Sequence, residues 1–308
     1  MPTRGEQQVD MVIRKNRLGK RAALIGLLIG LFGGFETERL EENPFLLTSI
    51  AKAAEVKQAS SVLVTERNEK KRKSDEPSET SKKSYQPTFK KYSMFNSAVY
   101  VYTSGTNETL KVSLGTSKLE RLINMKMNKE TAKINMGMFG PGSQHGGMYL
   151  VDGKYIQAPS ARYISLHLYK DGRIDIANYD NKTFARSKLN QLKQQTNFVV
   201  GTSYALVQDG VKNLENAYRF SHSTQRNPRS LFGQLKDGRY ILVAVDGRSG
   251  TSKGVTADQS ALIMLKLGAV EAVNFDGGGS SSLVVRGKTV NRPTENRNIG
   301  SALFVVKK

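Results

Sequence analysis

Residues 274–282 read Asn-Phe-Asp-Gly-Gly-Gly-Ser-Ser-Ser, directly after the apolar run Ala269-Val270-Glu271-Ala272-Val273. One carboxylate, Asp276, precedes three glycines, the residue type that loses most conformational freedom on folding. Three in a row at that entropic cost point to positive φ or to close backbone approach. Such a turn can aim the N–H groups of Gly277, Gly278 and Gly279 into one concavity that holds an anion. The hydroxyls of Ser280, Ser281 and Ser282 add further donors. The implied chemistry is a carboxylate beside an anion-binding loop; a plain glycine-rich hairpin is the alternative. A Walker A loop is excluded because no Gly-Lys-Ser/Thr follows. A dinucleotide fingerprint is excluded because the G-x-G-x-x-G spacing and the following helix are missing.

Four other segments place polar residues at strand ends with glycine nearby. Asn135 closes a strand-like run ahead of the glycine-rich stretch 137–147, and Arg226 and Arg229 flank Pro228. Asp246-Gly247-Arg248 ends the run Leu242–Val245, with a turn as the simpler reading. Arg292 and Arg297 precede the last strand-like run, where Glu295 is a possible surface partner for Arg297. The three histidines, His145, His167 and His222, show no metal-type spacing, so neither a metal nor a cofactor is expected. His167, between Leu166 and Leu168, reads as structural, whereas His145 sits in a glycine-rich loop and is a possible ligand contact.

Taken together, "AVNFDGGGSSSLVV", "VAVDGRS" with "GVT" shortly after, "PRSLFGQLKDGR" and "VNRP…RNIGSAL" resemble the phosphodiester glycosidase domain family over roughly 95–306. The resemblance implies hydrolysis of the glycosidic bond of a sugar-1-phosphate diester, of the N-acetylglucosamine-1-phosphate type, in a cell-surface or exopolysaccharide polymer. Carried over residue by residue, it marks Asn135, Arg229, Asp246, Gly247, Arg248, Thr256, Asn274, Asp276, Gly277, Gly278, Gly279, Ser280 and Arg297. Glycosidases commonly use a pair of carboxylates, so Asp276 is the first catalytic candidate and Asp246 the second. The substrate-binding set is then Asn135 and Asn274 on the sugar, arginines 229, 248 and 297 on the phosphate, and Thr256, the glycines and Ser280. Departures are Phe275 where the family has Leu, Gln259 where an acidic residue is frequent, and a loosened segment at 135–139.

These residues need a scaffold. Asp152-Gly153, Asp171-Gly172, Asp209-Gly210 and Asp237-Gly238 lie between alternating runs and predict hairpins. Helices are expected over 117–128, 183–195 and 256–267, the last with Thr256 as N-cap and Gly268 after its end. Strands are expected over 269–275 and 281–286, on either side of the glycine loop. The fold class expected is α+β: a mixed, hairpin-rich β-sheet core with helices packed on it. Tyr100 and Tyr102 share one strand face and read as packing residues.

The chain of 308 residues carries 47 Lys+Arg against 27 Asp+Glu, a net charge of +20, and no cysteine. That excess favours an anionic partner; missing cysteine excludes disulfides and thiolate chemistry. No helix-turn-helix, RNP or zinc pattern supports nucleic acid as that partner, so a phosphate-bearing glycan is expected. Residues 1–21 are basic, and 22–35 are uncharged and apolar, the pattern of an export signal or membrane anchor. Residues 36–91, with the mixed-charge Ser- and Pro-rich stretch from Glu66, read as a largely disordered linker. The phosphodiester glycosidase-like domain is then 92–308, held outside the cytoplasm, membrane-anchored or secreted. A non-catalytic module binding anionic cell-wall polysaccharide is the competing function.

Overall fold

The computed structural model describes residues 83–115, 119–138 and 145–308. The basic segment, the apolar segment 22–35 and the linker as far as Lys82 therefore lie outside the described residues. In chain order the strands are β1 (Thr88–Met94), β2 (Ser97–Thr103), β3 (Glu108–Leu114), β4 (Glu130–Asn135), β5 (Tyr149–Val151), β6 (Lys154–Gln157), β7 (Ile164–Tyr169) and β8 (Ile174–Asn178). Helix α1 (Arg186–Gln195) leads into β9 (Thr196–Thr202), β10 (Tyr204–Gln208), β11 (Val211–Lys212), β12 (Arg229–Leu235) and β13 (Tyr240–Val245). Helix α2 (Ala257–Lys266) is followed by β14 (Ala269–Asn274), β15 (Leu283–Val285), β16 (Lys288–Thr289) and β17 (Ser301–Lys307).

The strands form a seven-stranded sheet, β1-β2-β13-β12-β14-β10-β11, and two five-stranded sheets, β16-β15-β4-β17-β3 and β6-β5-β9-β7-β8. Strand alternation divides the large sheet's two faces. Tyr100, Tyr102, Leu242, Ala244 and Val273 point into one core shared with Ile134 and Leu303 of the second sheet and Leu166 and Val200 of the third. Val99, Val101, Ile241, Val243 and Ala272 point the other way, onto Ala257, Ala261 and Met264 of α2. The inner strands of this sheet are thus buried on both faces, which is why they are largely apolar, while the edge strands β1 and β11 are exposed. Tyr100 and Tyr102 are packing residues, as expected.

All four Asp-Gly pairs form hairpin turns. Asp152-Gly153 and Asp209-Gly210 have positive φ at both positions (49°, 75° and 52°, 74°), the type I′ geometry. At Gly172 and Gly238 only the glycine is positive, in longer turns where Tyr169 and Leu235 N–H groups close on the Arg173 and Arg239 carbonyls. Helix α2 begins as read: Thr256 accepts from the Gln259 N–H while Gln259 returns the bond to the Thr256 N–H, a capping box.

Three expectations are corrected. The sheet is not mixed; every strand pairing among the described residues is antiparallel, and β-structure dominates with two α-helices among those residues. The helix expected over 117–128 is absent from 119–128. There Leu122 and Met125 pack on Val284, Ile299 and Phe304, and the buried Lys133 ammonium donates to the Ile123 and Met125 carbonyls. A tertiary donor replaces the helical N–H groups. Finally, the domain does not begin at 92: β1 starts at Thr88, and a compact unit runs from Lys83 to Lys308.

Candidate active site

The apolar strand β14 runs between β12 and β10 and delivers Asp276 to the seam between two sheets. Phe275 N–H still donates to the Ser230 carbonyl at 2.8 Å, and its ring stacks on Phe232 at 5.8 Å, so the larger residue in place of leucine fills core space. One residue later the chain crosses over: Asp276 N–H donates to the Met136 carbonyl, beyond the end of β4, at 2.8 Å. Asn135 locks the crossing. Its amide donates to the Asp276 carbonyl at 2.7 Å and accepts from Ser230 Oγ at 2.5 Å and Ser282 N–H at 2.9 Å.

The glycines have separate reasons. A Cβ on Gly277 would lie 3.0 Å from the Pro228 carbonyl oxygen; Gly278 has φ +63°, and a Cβ there would lie 3.1 Å from Arg248 Nη2. Gly278 N–H donates to that same Pro228 carbonyl at 2.9 Å, so the nest of three converging N–H groups is corrected to a partial one. Gly278→Val should cost about 1–3 kcal/mol in backbone strain and displace Arg248. Thermal unfolding and turnover should both suffer, and a variant with wild-type stability and rate would show that the loop geometry is not needed.

Asp276, the three glycines, Arg229, Arg248 and Arg297 line one pocket. Loss of hydration pushes the Asp276 carboxyl up to about 6, against the smaller pull of the Ser280 hydroxyl, the Arg297 charge and the Gly277 N–H. Ser280 Oγ is itself buried without a hydrogen bond of normal geometry. Arg229 is 1% exposed, yet no carboxylate lies within ion-pair distance among the described residues. Its Nε donates to the Val255 carbonyl at 3.1 Å, and its Nη2 to the His222 and Gln225 carbonyls at 2.8 and 2.9 Å. Arg248 follows β13 in a left-handed turn (φ 55°) and donates to Asn227 Oδ1 from Nε and Nη2. Burial disfavours the protonated form of Arg229; Tyr204 opposes that shift and the Arg248 charge adds to it.

Other expected site residues do not reach the pocket. Asp246 is buried, and its Oδ1 accepts from the Arg292 N–H at 2.9 Å and Asn291 Nδ2 at 3.4 Å. It anchors the segment leading to Arg297, so the role of second catalytic carboxylate has no support in the geometry. Asn135 and Asn274 are not in the pocket lining; the Asn274 amide donates to Ser203 Oγ and the Phe275 carbonyl, while its Oδ1 is buried without a hydrogen-bond partner. Thr256 caps α2, and Arg226 donates to the Gly254 and Phe95 carbonyls. His145 stacks on Tyr149 at 4.5 Å, and His167 is buried in its sheet as read. Sequence reading missed Met138, His222, Gln225 and Asn227, which complete the lining. His222, Gln225 and Asn227 lie just ahead of Pro228, where the sequence pointed to a ligand role for the arginines alone. Among the described residues no three His, Cys, Asp or Glu are grouped to hold a metal.

An antiparallel β-protein with one desolvated carboxylate and three arginines in a single pocket has the makings of a hydrolase site for a phosphorylated ligand. The chain belongs to the phosphodiester glycosidase family, whose model matches residues 128–306. It is 28% identical over 182 residues to the SPbeta prophage-derived uncharacterized protein YomE of Bacillus subtilis (strain 168), covering 58% of this chain and 28% of that one. It is 32% identical over 68 residues to N-acetylglucosamine-1-phosphodiester alpha-N-acetylglucosaminidase of Bos taurus, covering 22% of this chain and 13% of that one. The chain therefore spans less than a third of the length of either relative. The fold is similar to the zebrafish N-acetylglucosamine-1-phosphodiester alpha-N-acetylglucosaminidase catalytic domain auto-inhibited by pro-peptide (TM-score 0.58, 17% identity, 75% of this chain and 86% of that one). It is also similar to a hypothetical protein from Synechocystis (TM-score 0.60, 15% identity, 72% and 62%).

Proposed function

We propose that this protein hydrolyses the glycosidic bond of a sugar-1-phosphate diester, with Asp276 as the reacting carboxylate. The observation that carries the reading is the meeting, in one pocket, of a desolvated Asp276 with a buried Arg229 that has no protein counter-charge. Burying an unpaired cation is costly, and a phosphodiester entering the pocket supplies the missing charge. Arginine suits phosphate oxygens through charge-assisted hydrogen bonds; Arg229 and Arg248 each keep Nη1 clear of protein hydrogen bonds, and Arg297 adds a third guanidinium. The leaving group is a phosphate oxygen, already a weak base, so the reaction needs little help from a general acid. Asp276 either removes a proton from water or attacks the anomeric carbon; both require its ionised form.

That requirement fixes a pH dependence. With the carboxyl at about 6, the ionised fraction falls as pH drops below that value, so kcat/KM should rise about tenfold per pH unit on the acid side and level off above pH ~7. The assay is release of free sugar and phosphomonoester from a panel of sugar-1-phosphate diesters, with residues 83–308 as well as the full chain. A flat profile between pH 4.5 and 7.5 would remove Asp276 from the chemistry. Binding without release of sugar would favour the competing module that holds anionic polysaccharide.

The polymer and its place are part of the same proposal. A net charge of +20 suits a polyanionic glycan, and the basic segment followed by uncharged residues 22–35 supports an anchored or secreted domain outside the cytoplasm. A reporter enzyme active only outside the cytoplasm, fused after Lys82, should work. Normal expression without reporter activity would refute that placement.

A further inference from the structure

Glu295 is not itself in the pocket lining but lies between two of its arginines. Its Oε2 accepts from Arg297 Nε at 2.5 Å, and its Oε1 lies 3.6 Å from Arg248 Nη1. The carboxylate rests on the third glycine of the loop: a Cβ on Gly279 would come within 2.4 Å of Glu295 Cδ and 2.6 and 2.7 Å of its two oxygens. Arg248, Arg297 and Gly279 all line the pocket. A planar carboxylate held by two guanidinium groups and seated against a glycine turn has the shape, charge and partners of a bound anion. It also divides the arginines into two kinds. Arg229 is buried without a counter-charge, whereas Arg248 and Arg297, about half exposed, share Glu295.

We propose that Glu295 is a tethered counter-anion: it fills an outer anion subsite made by Arg248 and Arg297, and an incoming phosphate must displace it. This deepens the functional reading above and rests on it only for the identity of the natural ligand. The residue sets affinity and selectivity. Only a ligand whose phosphate oxygens satisfy both arginines better than the tethered carboxylate gains the subsite, and neutral sugars do not compete for it. Glu295 also offsets repulsion among three converging cations while the pocket is empty, which the Arg248 field at Arg229 makes tangible. The third glycine of the triplet acquires a reason, since any side chain there would evict the carboxylate.

The test is titration of the folded protein with inorganic phosphate at low ionic strength. Glu295→Gln, a change at an exposed position, should bind phosphate about fivefold or more tightly than wild type. Glu295→Ala should shift affinity in the same direction. The gain should shrink as added salt screens the pair. Unchanged or weaker phosphate binding by both variants overturns the proposal. So does loss of diester turnover without any gain in phosphate affinity, which would make Glu295 a second catalytic carboxylate. Turnover is scored separately. A wild-type protein that cleaves a diester while the variants gain no affinity sinks this inference alone. Tighter phosphate binding by the variants, with no cleavage of any diester by wild type, sinks the functional reading and leaves this one standing.

Discussion

Replacing Asp276 with asparagine should reduce cleavage of a sugar-1-phosphate diester by about 10³-fold or more, while making the folded protein more stable at neutral pH. The first effect follows from the pocket: Asp276 is the carboxylate in its lining, and Asp246, the other candidate, is committed to Arg292 and Asn291. The second follows from the direction of its pKa. The folded carboxyl sits at about 6 because burial strips its hydration, whereas an unfolded aspartate titrates near 4, so the charged form is disfavoured by about 3 kcal/mol. A folded-state pKa raised in this way stabilises below pH ~4, where the group is protonated in both states, and that contribution is lost as pH rises through about 6. Asparagine is neutral throughout and keeps the shape. Melting temperatures of wild type and Asp276→Asn should therefore lie close together at pH 4 and separate by several degrees at pH 7.5, the inactive variant melting higher. Parallel melting curves across that range would show that Asp276 is not strained by desolvation. Retained turnover would remove it from catalysis.

Arg229→Gln should sharply weaken phosphate binding and destabilise the fold at once. The side chain satisfies the carbonyls of Val255, His222 and Gln225 from inside the protein. Glutamine can reach at most part of that set. Backbone N–H groups of Asn227 and Gln225 still donate to the Val255 and His222 carbonyls at 3.1 and 3.2 Å, so what is lost is the charge-assisted bonds, worth about 1–3 kcal/mol in all. Losing the one fully buried cation of the pocket should also weaken phosphate by about 10²-fold, the scale of a charge-assisted pair. The readout separating the two effects is the ligand-induced rise in melting temperature: inorganic phosphate should raise it for wild type and not for Arg229→Gln, whatever the variant's starting point. An equal rise in both would place the phosphate elsewhere. Arg229→Lys should keep some of the rise, because it keeps the charge but loses the fork.

Residue by residue, local chemistry was legible and partnerships were not. Asp-Gly pairs announce hairpins because few other dipeptides accept positive φ at both positions, and all four do form turns. Two further hairpins turn at Phe95-Asn96 and Arg286-Gly287, where no Asp-Gly marks them. The N-cap at Thr256 was legible for the same local reason. The segment 117–128 misled because its apolar spacing suits a helix, while its carbonyls answer to Lys133, a residue outside the segment.

The sequence by itself determined the family, the Asp276-glycine turn and the excess of positive charge, since each depends on residue type and near neighbours. Only the tertiary structure decided which polar residues face the ligand. Asn135, Asn274 and Asp246 look as functional in one dimension as Asp276 does. In the fold Asn135 and Asp246 are taken up by Ser230, Asn291 and nearby backbone groups, and the Asn274 amide by Ser203, because a buried polar group needs a partner and the seam between sheets supplies many. Asn274 Oδ1 alone among them is left buried without one. What is left over defines the site: a carboxylate short of water, a buried guanidinium short of a counter-charge, and a glutamate seated between two arginines. Those shortages arise from strands far apart in sequence meeting at one seam, and no single segment carries them.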